Sequence, residues 1–274
     1  MPSLLAQISS PYSALEAWLY DAVIADAVLS LRGALQGRLL EALPDGARLL
    51  EVGCGGGQLA LQLAALRPDV TTTGLDLSAA QVARARRRAA RAGLGARISF
   101  VEGSALELPF ADGSFDVVVS TYGCMFTPDH SRTASEMLRV TRPGGRIGMA
   151  NWTPQGFIGR LFKVIGAHVP PPAGLKSPAL WGTEAHVAAL FGGAAADVRC
   201  ERKHFNFRYR SAAHWLQVFR DFYGPTHKAF AALDVAGQAA LERDITALLL
   251  ELNVAGEASL VVPGEYLEVV VTKN

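Results

Sequence analysis

A glycine cluster, Gly53-Cys54-Gly55-Gly56-Gly57, follows the apolar stretch Leu49-Leu50-Glu51-Val52 and precedes the segment Gln58–Leu66. A strand running into clustered glycines and then a helix lets a ligand approach backbone amides, because glycine has no Cβ to block it. What is missing narrows the ligand. A dinucleotide fingerprint, G-x-G-x-x-G/A, started at Gly53 meets Gln58 at its last position and fails. Started at Gly55, it is completed weakly by Ala60. A mononucleotide P-loop needs Gly-Lys-Ser/Thr, which is absent. Asp76, in Gly74-Leu75-Asp76-Leu77-Ser78, falls at the end of the next strand-like stretch. A carboxylate there can accept both hydroxyls of a ribose, although an Asp can also cap a helix or form a turn. These residues point to a nucleoside and leave open whether it is NAD or another adenosyl ligand.

Other reactive residue types are scattered. His130, His168, His186, His204, His214 and His227 include no pair at metal-ligand spacing on one helix. His130 follows Asp129 at a helix start, which favours a structural role, whereas His168, His214 and His227 fall where an acceptor could be contacted. Cys54, Cys124 and Cys200 are too few and too dispersed for a disulfide framework or a zinc site, and Cys54 reads as a small apolar filler. No metal is expected. Arg84, Arg87, Arg88 and Arg91 share one helical face, read as solvated, while Arg86 falls on the opposite side with its stem over the sheet edge. Tyr122, Trp152 and Tyr223 are either acceptor-pocket walls or ordinary core aromatics.

The elements that must position these residues alternate. Strands are predicted at 48–52, 70–75, 97–101, 115–120 and 146–150, and helices at 58–66, 78–92 and 130–140. Ser78 with Gln81 forms a capping box, Gly93 stops that helix, and Arg142-Pro143-Gly144-Gly145 makes a turn. Such alternation means a parallel sheet with helices on both faces. Residues 12–43 read as helical, and 153–182 are rich in Pro and Gly. A helix at 183–191, a strand at 198–209, helices over 211–253 and a last strand at 266–272 follow.

The chain has 274 residues, half of them apolar, and a net charge of +1. Half apolar content excludes a disordered chain, and near-neutral charge argues against a general nucleic-acid binder. No stretch approaches the length of a membrane helix, and Arg32 is the first basic residue, so no charged export segment precedes an apolar one. The expectation is a soluble cytoplasmic protein without nucleic-acid or membrane partners.

Residues 100–120, Phe-Val-Glu-Gly-Ser-Ala-Leu-Glu-Leu-Pro-Phe-Ala-Asp-Gly-Ser-Phe-Asp-Val-Val-Val-Ser, add a third motif. Residues 136–146, Glu-Met-Leu-Arg-Val-Thr-Arg-Pro-Gly-Gly-Arg, add a fourth. With the Glu51–Gly57 and Leu75–Ser78 segments, they resemble a class I S-adenosylmethionine-dependent methyltransferase of the small-molecule group, type 11 like. The resemblance covers about residues 47–152. The Asn151–Pro154 and Val262–Leu267 segments resemble C-terminal halves of bacterial members.

The resemblance implies an α/β, Rossmann-like sheet of seven strands, mostly parallel with one antiparallel strand, helices on both faces and helical lid insertions. It implies one methyltransferase domain: an N-terminal helical lid (1–46), a cofactor core (47–152) and a C-terminal part with lid insertions and the last strands (153–274). The cofactor would be S-adenosyl-L-methionine and the acceptor a small, partly hydrophobic molecule. The loop at Gly53, Gly55 and Gly57, with Cys54 and Gln58, would take the methionine part. Glu51 would face its amino group, Asp76 the ribose, and Leu77 the adenine. Ala105 would offer a backbone amide to an adenine nitrogen, and Ser120 would help position the methionyl carboxylate or amine. No catalytic residue is assigned. Two alternatives stay open: an NAD(P)-dependent oxidoreductase, and a cofactor-binding protein without methyl transfer. Monomer and homodimer are equally open.

Ser104 departs from the family pattern, which commonly has Asp there to accept the adenine amino group. A neutral hydroxyl accepts more weakly than a carboxylate. Ser104→Asp should therefore tighten cofactor binding; calorimetry giving unchanged or weaker affinity would contradict this placement.

Overall fold

The structure, a computed structural model, describes residues 43–274. The helix expected over 12–43 and the lid expected over 1–46 lie outside the described residues, apart from their last few positions.

In the first half, β1 (Arg48–Val52), α1 (Gln58–Leu66), β2 (Thr71–Asp76), α2 (Ala79–Arg91) and β3 (Ile98–Glu102) are followed by β4 (Phe115–Thr121), α3 (His130–Val140) and β5 (Thr141–Trp152). The second half comprises α4 (Phe157–His168), α5 (Glu184–Phe191), β6 (Ala195–Tyr209), α6 (Ala212–Phe222), α7 (Gly224–Ala231), α8 (Val235–Leu252) and β7 (Leu260–Lys273). The sheet has seven strands in the order β3-β2-β1-β4-β5-β7-β6. Neighbours are parallel except for β7, which is antiparallel to both β5 and β6. The strand order reverses between β1 and β4, and open α/β sheets bind ligands at the carboxyl ends of strands at such a switch point.

The central strands are buried on both faces, which explains their unbroken apolar runs: Leu49, Leu50 and Val52 on β1, Val117, Val118 and Val119 on β4. Helix α2 can lie close to the sheet because its buried face is small, with Val82, Ala85 and Ala89. The Ser78 hydroxyl caps α2 by accepting from the Gln81 amide at 3.4 Å. Asp129 caps α3 by accepting from the Arg132 amide at 2.9 Å. Arg86 does more than lay its stem on the edge: its Nε and Nη2 both donate to the Phe100 carbonyl, at 3.1 and 2.6 Å.

Two boundaries differ from the sequence reading for identifiable reasons. The turn 142–145 does not precede β5 but interrupts it. Thr141 already pairs with Phe115, and pairing resumes at Arg146 with Val117, so the turn is looped out as a register irregularity. β7 starts at Leu260 and runs through Pro263, because β5 pairs only with residues 266–272. Residues 260–265 pair with β6 alone, so the amide missing from Pro263 breaks no bond to β5. Finally, α5 packs against α3 and leads into β6. It is the crossover helix that a parallel β5–β6 arrangement requires, whereas α4, α6, α7 and α8 pack on one another as a separate helical layer.

Candidate functional site

Construction starts where β1 ends. The amides of Gly53 and Cys54 both donate to the Leu75 carbonyl, at 2.8 and 3.0 Å. Next, the Gly55 amide donates to Asp76 Oδ2 at 2.8 Å. The other oxygen, Asp76 Oδ1, accepts from the Ser78 amide at 2.9 Å. The carboxylate therefore has a fixed orientation. The glycines differ in what they permit. Gly53 has φ +71°, and a Cβ there would lie 2.9 Å from the Gly123 Cα. Gly57 has φ +77°, and its Cβ would enter the Phe100 ring at 2.7 Å. Gly55, with φ +52°, has nothing within 4 Å of a Cβ: it is the open tip of the loop.

Glu51 is fully buried, and its Oε2 accepts from the Ala60 amide at 3.0 Å. Helix α1 has no side-chain cap at Gly57 and no acidic residue in its first turn, so this carboxylate on the preceding strand serves its N-terminus. Gln58 and Cys54 are buried, and Cys54 belongs to the small core of Ala60, Ala85 and Phe100. Leu77 is 44% exposed, an apolar side chain beside Asp76 with much of its surface available. The β3 end joins this edge because the Gly103 amide donates to the Asp76 carbonyl at 3.0 Å. Ser104 Oγ accepts from the Leu106 amide at 3.1 Å, and Ala105 is half-buried.

Ser120 is fully buried, and its hydroxyl is engaged twice. It donates to the Val52 carbonyl at 2.7 Å and accepts from the Cys124 amide at 2.9 Å. It thus ties the end of β4 to the end of β1. Burial pushes the Cys124 thiol up to about 12, so it stays protonated. The positions expected to hold the cofactor, from Glu51 to Ser120, lie at or beside the carboxyl ends of β1 to β4.

Sequence reasoning missed two features. Tyr122 has φ 58°, the single positive value at a non-glycine among the described residues. A left-handed conformation costs a residue with a Cβ about 1 kcal/mol. It is held by the Tyr122 amide donating to the Ala150 carbonyl at 2.9 Å and by the ring stacking on Trp152, 4.3 Å between centroids and 16° between planes. Glycine at 123 directly after a strand was the available signal. Trp152 and Tyr223 are buried core aromatics.

The second is a histidine pair from separate helices, His130 Nδ1 and His186 Nε2, 2.9 Å apart. It lies beside the Trp181 ring, at 5.5 Å from His130. The other histidines sit among surface partners, such as Asp244 at 2.7 Å from His168 and the Arg220 carbonyl at 2.9 Å from His227. Among the described residues, no group of three or more His, Cys, Asp or Glu could hold a metal ion. No helix among them is long and apolar enough to cross a membrane.

Known proteins match this arrangement. Residues 50–149 match the family model described as a methyltransferase domain. An uncharacterized protein of Mycobacterium tuberculosis is 38% identical over 210 residues, 75% of each chain. The 27-O-demethylrifamycin SV methyltransferase of Amycolatopsis mediterranei is 36% identical over 159 residues, 58% of this chain and 52% of that one. Among solved structures, the YcgJ protein of Bacillus subtilis covers 88% of this chain and 99% of its own, at 18% identity and TM-score 0.61. A phosphoethanolamine N-methyltransferase of Haemonchus contortus, solved with S-adenosyl-L-methionine, covers 100% of this chain and 61% of its own, at 17% identity and TM-score 0.63.

The histidine pair makes stability pH-dependent. Burial, then the neighbouring His186 and Lys176, lowers the His130 pKa to about 4 from its ordinary 6.5. Burial and Lys176 also lower that of His186. Between those values the unfolded chain binds more protons than the folded one, so acid favours unfolding. The urea midpoint should fall between about pH 7 and about pH 4.5, and fall less in His130→Leu. An identical pH profile in the variant would contradict a buried neutral pair.

Proposed function

This chain belongs to the class I S-adenosylmethionine-dependent methyltransferases, and from that premise we propose that it methylates a small, partly hydrophobic molecule by in-line displacement. The observation that carries the site assignment is Asp76: a carboxylate at the end of β2 whose orientation is fixed by the Gly55 and Ser78 amides, beside the glycine loop. A carboxylate at the end of the second strand of such a sheet is where the two hydroxyls of a ribose are held. Leu77, exposed beside it, suits the adenine, and the half-buried Ala105 amide lies on the loop tied to Asp76. The open tip at Gly55 leaves room for the methionine part against backbone amides.

Glu51 and Ser120 act less directly than the sequence suggested. Glu51 holds the start of α1, and its carboxylate adds negative charge beneath a cationic ligand. Ser120 keeps the β1 and β4 loops at a fixed separation, so it shapes the methionine site through the backbone. When bound, S-adenosylmethionine supplies a methyl group on a cationic sulfur, already an electrophile. The work left to this chain is alignment of the acceptor and exclusion of water. The helical layer that leaves the sheet after β5 and β6 supplies that cover, because both strands end on the same edge as the glycine loop.

The acceptor's small size is inferred from the family and from the similarity to the named rifamycin enzyme and to the demethylmenaquinone methyltransferase of Thermus thermophilus. Three free cysteines and the lack of a membrane-length helix among the described residues suit the cytoplasm. In calorimetry, adenosylhomocysteine should bind the wild-type protein, and Asp76→Ala should weaken it roughly tenfold or more, since hydrogen bonds to a charged group are lost. Undiminished affinity in that variant, or binding of NADH alone, would overturn the reading.

A further inference from the structure

We propose that Arg132, Glu136 and Arg139 are positioning residues for the adenine: one stripe of α3 holds the loop that carries Ser104 and Ala105. This deepens the methyltransferase reading and rests on it. The three residues are spaced by four and then three along α3, so they share one face of it. That face meets the segment 103–113 between β3 and β4. Arg132 Nε donates to the Leu106 carbonyl at 2.8 Å. Glu136 Oε2 accepts from the Leu108 amide at 2.8 Å. Arg139 Nη2 donates to the Leu108 carbonyl at 2.9 Å. Its Nη1 donates to the Phe110 carbonyl at 2.7 Å and to Asp112 at 2.8 Å. The Gly113 amide in turn donates to the Arg139 carbonyl at 2.9 Å.

The stripe is itself braced. Glu136 is buried, and Arg139 takes both its oxygens, Nε on Oε1 at 2.9 Å and Nη2 on Oε2 at 2.8 Å. A two-pronged pair of this kind fixes the plane of the guanidinium as well as its position. Arg132 reaches Glu136 Oε1 at 3.6 Å. The loop's own bonds are local: the Leu106 amide donates to Ser104 Oγ at 3.1 Å and the Glu107 amide to the Ser104 carbonyl at 3.2 Å, a turn around Ala105. That turn is tied at its start to β2, through the Gly103 amide and the Asp76 carbonyl, and beyond Ala105 to α3. Arg132 takes hold at Leu106, the residue directly after Ala105. A backbone amide selects a ring nitrogen only when its direction is fixed, and here a charged stripe fixes it. The segments 100–120 and 136–146, separate motifs in the sequence, are two sides of one joint.

The test uses S-adenosylhomocysteine and S-inosylhomocysteine, titrated calorimetrically into the full-chain protein. The inosyl base carries an N–H where adenine has an acceptor nitrogen, so it would meet the Ala105 amide donor to donor. Wild type should prefer the adenosyl ligand by about tenfold or more, the cost of polar groups left unpaired. Arg139→Met should weaken adenosyl binding about tenfold and inosyl binding at most about threefold, which narrows the preference. Arg139→Lys keeps a charged donor but not the fork and should fall between. If Arg139→Met does not fold, Arg132→Ala decides, because Arg132 is exposed and its loss removes a single loop contact. It should narrow the preference about threefold. An unchanged preference in Arg139→Met, or in Arg132→Ala where that variant decides, overturns the proposal. Equal weakening of both ligands assigns the stripe to structure alone and overturns it too, as does a wild type without preference. Failure of the wild-type protein to bind adenosylhomocysteine would instead overturn the methyltransferase reading.

Discussion

The site depends on one constraint: the glycine loop is clamped onto the end of β2 by its own amides. Gly53 and Cys54 share the Leu75 carbonyl, and Gly55 takes one oxygen of Asp76. Only a chain able to adopt positive φ at residues 53, 55 and 57 can turn this way. The clamp fixes the Asp76 carboxylate before any ligand arrives, and the Ser78 amide fixes it from the other side. Preorganisation of this kind means that binding need not order the group that binds.

Around that clamp, buried polar groups hold the loops rather than face outward. Ser120 bridges β4 to β1, and Glu51 serves α1. Gly123 and Gly53 meet backbone to backbone, which brings the end of β4, with Tyr122 on it, against the cofactor loop. The two apolar clusters divide the labour. A small one of Cys54, Ala85 and Phe100 seats the loop and α2, and a large one joins β4, β5 and β7 to the helical layer.

Local signals were legible in the sequence, and long-range ones were not. The glycine turn, Asp76, the Ser78 and Asp129 caps and the Val run of β4 each depend on neighbouring residues, and the structure places each as expected. The looped-out turn within β5 depends on Thr141 finding Phe115, twenty-six residues away along the chain. β7 extends through Pro263 only because β5 stops short of it. The contact between His130 and His186 needs α3 and α5 to pack, and the φ of Tyr122 needs Gly53 and Trp152 in place. No spacing rule along a single helix or strand carries such information.

The most direct measurement is a crystal structure of the protein grown with adenosylhomocysteine. The account predicts both ribose hydroxyls on the Asp76 carboxylate, while that carboxylate keeps its bonds to the Gly55 and Ser78 amides. A nucleoside bound at any other edge of the sheet, or an Asp76 side chain turned away from it, would contradict the account.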